Sequence, residues 1–341
     1  MSATLPAEPE PEHPGAPPAA PGPEHPGASR GRWRRAALAL AIALPCLGLV
    51  ELALHVFFAR RPPRPEDWVA ARPRVEALKK PGDLLLIAPR WLDPHARMHL
   101  GPELLPLRDL ARPDETRYPR ALVLRSLGQD APEVAGWKEL HREPLARSLE
   151  AVLLENPAPV PVLRDLVDEV DAGRVEVAWV FPDREVPCPW QEQQRTAATG
   201  LFSHPTMPPG RHVCGGAPWQ SVGVTVHDDE GFRPRRCIWT PPPQGGHVRL
   251  RFPAGASGAT LRGHGSIHWT LEREQRGGPV FLEWWLDGVL LGTVKHEDGQ
   301  GWAPFELPLG ERGREGARIE ARIHAPDARE RHFCWEASLR P

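Results

Sequence analysis

Apolar residues are arranged in three different ways along this chain, and each way predicts a different kind of element. From Ala36 to Phe58 they run almost unbroken, as AALALAIALPCLGLVELALHVFF. At 1.5 Å rise per residue such a stretch spans the ~30 Å hydrocarbon core of a bilayer, so it predicts a single transmembrane helix. In the middle of the chain, short continuous apolar runs at Asp83–Ala88, Arg120–Leu127 and Arg174–Phe181 predict buried strands. Between the last two, Val134, Trp137, Leu140, Leu145, Leu149 and Leu153 recur at mostly helical spacing, which predicts a helix within Pro132–Glu155. Val162–Val170 predicts a second, short helix, and the strand spacing suits βαβ crossovers.

The last third changes to a period of two. Candidate strands are Ser221–His227, Arg235–Thr240, His247–Phe252, Ala259–Gly263, Ser266–Glu274, Pro279–Asp287, Val289–Lys295, Trp302–Leu307, Ala317–Ala325 and Arg331–Leu339. In ARIEARIHA, Ala317, Ile319, Ala321 and Ile323 alternate with Arg318, Glu320, Arg322 and His324. Val248, Leu250 and Phe252 likewise face away from His247, Arg249 and Arg251. Asp287-Gly288 between two apolar runs is a type I′ hairpin signal. Many short strands at this spacing predict an antiparallel β-sandwich of jelly-roll type.

The expected fold class is therefore α+β and multidomain, with one transmembrane helix, a small α/β (βαβ) region and a C-terminal β-sandwich. Residues 1–35 read as a disordered, Pro-rich cytoplasmic tail that repeats PEHPGA at 11–16 and 23–28. Residues 36–58 form the membrane helix and 59–81 a Pro-rich linker. The α/β domain takes 82–187, an irregular junction loop 188–218 and the sandwich 219–341.

Composition narrows the class. A formal net charge of −2 implies no general attraction to nucleic acid, and no nucleic-acid partner is expected. Arginine outnumbers lysine 38 to 4, a skew typical of GC-rich bacterial genomes. Cys46 lies within the apolar segment, leaving an even number of cysteines in the body: Cys188, Cys214, Cys237 and Cys334. That count fits two disulfides in an oxidising compartment. Because Cys237 lies on an early sandwich strand and Cys334 on the last, Cys237 is expected to pair with Cys334, and Cys188 with Cys214.

The apolar segment reads as an anchor rather than a signal peptide. Its lead is long, it exceeds an h-region, and no A-x-A site precedes Ala59-Arg60. Pro45 before Cys46 disfavours a lipoprotein site. Arginines flank both ends, with a slight excess on the N-terminal side, so the N-terminus is expected inside and the body outside the inner membrane. Glu51 and His55 lie four apart on one face of the segment. They are read as an outer-half pair at the membrane interface.

Candidate chemistry is sparse. There is no P-loop, no G-x-G-x-x-G and no G-x-S-x-G, and no catalytic residue, metal or cofactor is expected. His204, His212 and Cys214, and separately His264 and His268, lack the spacing of a zinc site. Seven of the 13 tryptophans follow residue 218. Trp285 follows Trp284, so one of the two must leave the core face. Trp302 sits beside the acceptors of Glu297–Gly301. Trp302, Trp285, Asp298 and Trp239 are therefore the candidate ligand-binding residues, with Trp302→Ala expected to weaken retention on an envelope polysaccharide. The row Arg249, Arg251, Arg318 and Arg322, with Glu272 and Glu320, reads as a solvated charged face. Were the α/β part enzymatic, its site would lie at the C-terminal strand ends, where Asp93, His95 and Asp130 are candidates.

The passage GGPVFLEWWLDGVLLGTVKHEDGQGWAPFELPL, with ARIEARIHA and RHFCWEASLR, resembles galactose-binding-like and carbohydrate-binding-module sandwiches over residues 219–341. The resemblance implies glycan contact. LVELALHVFF and VTVHDDEGFRP are similar to membrane-anchored SGNH/GDSL-type hydrolases, yet Gly82-Asp83 is followed by Leu84 and no Asp-x-x-His closes the chain. Hydrolase activity does not carry over. The expected function is a membrane-anchored, extracytoplasmic binding or scaffolding protein, with the bilayer and a glycan or envelope protein as partners. The alternative is an accessory or degenerate domain of an envelope carbohydrate-active enzyme.

Overall fold

The computed structural model describes residues 27–59, 62–192, 197–198, 206–229, 233–255 and 258–341. The chain divides into two compact units, Met1–Arg61 and Pro62–Pro341. In the first, Gly27–Ala59 is a single helix, and its segment Trp33–Phe57 is long and apolar enough to cross a membrane. Residues 1–26, most of the expected tail, lie outside the described residues.

The second unit opens with a helix, Pro65–Leu78, inside the stretch expected to be a linker. Proline misleads there: Pro65 occupies the first helical turn, where its missing N–H costs nothing. The Asp67 carboxylate accepts from the Arg64 backbone N–H at 2.8 Å. Trp68, Ala71 and Val75, spaced three and four apart, are buried on one face. They pack against Leu85, Ile87, Leu122 and Leu124.

The strands Leu84–Ala88 and Arg120–Ser126 pair in parallel, with Asp93–Leu100 and Leu107–Leu110 as helices between them, which makes the expected βαβ unit. The segment 132–155 differs from expectation. Apart from a short turn at Pro132–Val134 it forms an antiparallel hairpin of Lys138–Ala146 and Leu149–Glu155, added to the same sheet. Leu149–Glu155 lies between two strands, with Leu149 and Ala151 in one core cluster and Val152 in the other. Burial on both faces makes its apolar run continuous and imitates helical spacing. Pro144, which would break a helix, sits on the edge strand where proline is tolerated. The third expected α/β strand also moves: Glu176–Val180 pairs with His247–Arg251 in a six-stranded sheet of the sandwich.

That six-stranded sheet, ordered from Val289–His296 through Val280–Leu286, Ile319–His324, His247–Arg251 and Glu176–Val180 to Glu185–Pro187, packs on an eight-stranded sheet. The eight-stranded sheet is centred on Thr260–Ile267, Phe333–Arg340, Pro234–Trp239 and Ser221–Asp228. Val222, Ile238, Leu261, Phe333 and Trp335 of one sheet share a core with Val248, Leu250, Leu282, Trp284, Ala321 and Ile323 of the other. Trp284 and Trp335 meet edge to face at 5.2 Å, an arrangement worth about 0.5–1.5 kcal/mol beyond burial. At the hairpin, Asp287 (φ 48°) and Gly288 (φ 80°) both take the left-handed conformation that a type I′ turn requires. Ser266–Glu274 is not one strand: the chain leaves the sheet at Ile267 and turns into the helix Trp269–Glu274. Six residues are too few to separate a period of 3.6 from a period of two.

The eight-stranded sheet is covered on its second face as well. Phe333–Arg340 is buried at every position, although Cys334, Glu336, Ser338 and Arg340 alternate away from the core. Segment 111–114 lies over these polar residues. Arg236 donates its backbone N–H to the Ala111 carbonyl, and Arg340 pairs with Asp114 at 3.1 Å.

Candidate functional site

The two faces of the sandwich that point away from the core behave differently, and the difference decides where a ligand can sit. On the covered face the polar groups already hold one another. His264 Nδ1 lies 2.7 Å from the Glu336 carboxylate, and Trp302 stacks on the His264 ring at 5.6 Å. The Arg235 guanidinium lies 5.6 Å from the Trp302 ring, and Trp302 donates to the Pro113 carbonyl at 3.4 Å. Burial pushes the Glu336 carboxyl up despite its imidazole partner.

Trp302 and Trp239 therefore share one cluster around the Cys237–Cys334 disulfide, with Met207 and Trp219. Trp239 is fully buried and donates to the Trp219 carbonyl. Asp298 accepts from Arg331, whose side chain is buried. Trp285 stands apart from all three, on the outer face of the six-stranded sheet, beneath the Arg322 guanidinium at 4.0 Å.

That outer face is open. Alternation sends Phe281, Glu283 and Trp285 outward from one strand, Glu320, Arg322 and His324 from the next, and His247, Arg249 and Arg251 from the third. Register aligns Lys295, Phe281, His324, His247 and Val180 across five adjacent strands. At 4.8 Å per strand, that row is ~19 Å long. Phe281 and His324 stack at 5.1 Å. The Trp285 indole N–H donates to Glu283 at 3.0 Å, and Arg251 donates to Glu320 at 2.8 Å. Of the charged row expected here, Glu272 does not belong. It is buried in the short helix, where it accepts the Gly301 backbone N–H at 2.9 Å.

At its far end the row runs into a cleft of about 460 Å³, lined by Val180, Phe181, Gly246, His247, His324 and Pro326. Its volume falls within the range of small-molecule sites. Arg184 covers one side of the Phe181 ring at 4.5 Å. Burial, then the charges of Arg322 and Arg249, lower the His247 pKa, so its ring is neutral at pH 7. A neutral imidazole can donate and accept at once, which suits a hydroxyl ligand. A larger cleft of about 680 Å³ borders Arg108, Asp171 and Arg236, but its charges are mutually paired through Asp168 and Asp171.

The sulfurs of Cys188 and Cys214 are bonded, as are those of Cys237 and Cys334. His227 lies beside the latter pair within metal-ligand distance, but a disulfide offers no thiolate. His212 is held by the Cys188 carbonyl at 3.1 Å, and His268 by Thr270 at 2.8 Å. His204 lies outside the described residues. At the α/β strand ends, Asp93 is buried beside Arg97, His95 stacks on His99, and Asp130 is exposed and paired with Arg125. The outer-face histidines escaped the sequence reading. The alternation of His247 and His324 was visible, but the pairing that sets them side by side was not.

No family model matches the sequence, and no curated protein sequence matches it. Among solved structures, the CBM51-2 and INT domains of Clostridium perfringens ZmpB in complex with GlcNAc are similar over 49% of this chain and 36% of that chain, at 11% identity and a TM-score of 0.28. The M60 catalytic domain with CBM51-1 and CBM51-2 of the same protein is similar over 59% of this chain and 22% of that chain, at 10% identity and a TM-score of 0.27. Xylanase10C of Cellvibrio japonicus in complex with xylopentaose follows, over 44% and 28%, at 7% identity and a TM-score of 0.21. The chain thus spans little more than a third of the first of these. At these identities the likeness says nothing of a ligand.

Proposed function

We propose that this protein is a membrane-anchored, extracytoplasmic binding module whose six-stranded sheet presents its outer face to a glycan. The observation that carries the reading is the row Phe281, His324 and His247 running into the 460 Å³ cleft beside Phe181. Aromatic edges, the neutral imidazole of His247 and paired carboxylates on one open face match a ligand rich in hydroxyls and C–H surface. Anchoring is supported by the apolar helix Trp33–Phe57. Placement outside the cytoplasm is supported by two disulfides within the body, which persist in oxidising compartments.

The test is retention of the detergent-solubilised full chain on immobilised envelope polysaccharides and peptidoglycan. Phe181→Ala and His324→Ala are each expected to weaken retention by roughly 1–2 kcal/mol, or about five- to thirtyfold, on the scale of single interface contacts. Trp91→Ala, at an exposed position of the α/β part, should leave it unchanged. Retention insensitive to both cleft substitutions overturns the assignment.

A further inference from the structure

Two ionisable side chains on the helix Gly27–Ala59 find no partner among the described residues. Glu51 and His55 are exposed on that helix, and neither has a hydrogen bond or ion pair among the described residues. Counting 1.5 Å per residue from the middle of Trp33–Phe57, Glu51 lies ~9 Å from the midplane, inside a hydrocarbon half-thickness of ~15 Å. His55 falls near the boundary. A carboxyl group at such depth is costly unless it meets a partner, and intramembrane ionisable residues accordingly face other protein.

The residues in line with this pair share one face of the helix. Stepping back from His55 by alternating four and three residues gives Glu51, Gly48, Leu44, Ala41 and Ala37. That is the 3.5-residue seam of two parallel helices in a left-handed crossing. Three of its six members are glycine or alanine, which let helix backbones approach closely. A Cβ placed on Gly48 would meet nothing within 4 Å, so no contact among the described residues requires glycine there.

We propose that this seam docks a second copy of the same chain, in parallel, with Glu51 of each helix reaching His55 of the other. A twofold interface needs a surface that complements itself, and this seam carries both the carboxylate and the imidazole. One symmetric contact therefore satisfies both groups twice. The inference rests on the membrane-spanning reading of this helix.

The chain supplies its own control. Cys46 is the free cysteine, and it falls on the side of the helix opposite the seam. Oxidative cross-linking of the full chain in native membranes is expected to give no covalent dimer in wild type. Cys46→Ala combined with Leu44→Cys, or with Ala41→Cys, should instead trap a covalent dimer. In the Leu44→Cys background, Glu51→Leu should weaken self-association about three- to tenfold, the scale of one interhelical hydrogen bond, while Glu51→Gln keeps most of it. Cross-linking through Cys46 as readily as through position 44, or indifference to Glu51→Leu, overturns the seam. A carbonate-resistant chain that never cross-links overturns the dimer alone, whereas a chain released by carbonate overturns the membrane reading beneath it.

Discussion

Arg340 on the last strand donates from Nη2 to the Asp114 carboxylate 3.1 Å away, joining residues 226 positions apart. Both side chains are more than nine-tenths buried. The contact fastens the α/β part to the second face of the eight-stranded sheet. Arg340 also donates to the Val160 carbonyl and the Ser338 hydroxyl, so its guanidinium is held on three sides.

Removing one partner of such a pair strands a buried charge. Asp114→Ala is expected to cost about 3–5 kcal/mol in chemical denaturation, whereas a double variant replacing both Asp114 and Arg340 with apolar residues costs less than the two single changes together. Strict additivity would mean that the two groups do not interact.

This pair also marks where sequence reading stops. The alternation in Phe333–Arg340 identifies a strand, and Asp287-Gly288 fixes the turn type between Val280–Leu286 and Val289–His296, because both signals are local. Which face of that strand meets water is not local. Glu336, Ser338 and Arg340 read as solvent-facing until segment 111–114 arrives from two hundred residues earlier. The same limit hides the site: His247 and His324 become neighbours only when their strands pair. Pro65–Leu78 and the 138–155 hairpin fail for another reason. Proline content and apolar spacing are ambiguous where a segment is short or buried on both faces.

One buried and one half-buried histidine predict an acid-sensitive fold. Burial lowers the pKa of His332 from an ordinary 6.5 to about 4, and that of His227 to about 3, with the nearby His268 adding to both shifts. The folded state then binds fewer protons than the unfolded one between pH 6.5 and about 4, so stability falls as pH falls through that window. Each group contributes up to ~1.4 kcal/mol per pH unit. Asp114, which burial would raise but Arg340 and Thr116 hold low, adds its loss only as pH falls below an ordinary 3.8, whereas Glu336, raised by burial, opposes the loss above that. Unfolding midpoints measured from pH 7 to 4 should fall, and His332→Phe should flatten the slope. A midpoint constant over that range would contradict the burial of these rings.

The disulfides differ in reach. Cys237–Cys334 closes a span of 97 residues and Cys188–Cys214 one of 26. On chain-entropy grounds, removing the longer link should destabilise the body by about 1 kcal/mol more than removing the shorter. Paired Cys→Ala variants compared in denaturant check this; a larger loss at Cys188–Cys214 would contradict the loop-closure account.

Binding at the outer face of the six-stranded sheet is tested most directly by titrating the full chain with soluble envelope glycan fragments while following the His324 and His247 ring resonances. Saturable shifts of both, moved to about five- to thirtyfold higher glycan concentration by Phe181→Ala and unaffected by Trp91→Ala, are the expected result. Binding that leaves both rings unperturbed, or no binding to any envelope glycan, would contradict the assignment.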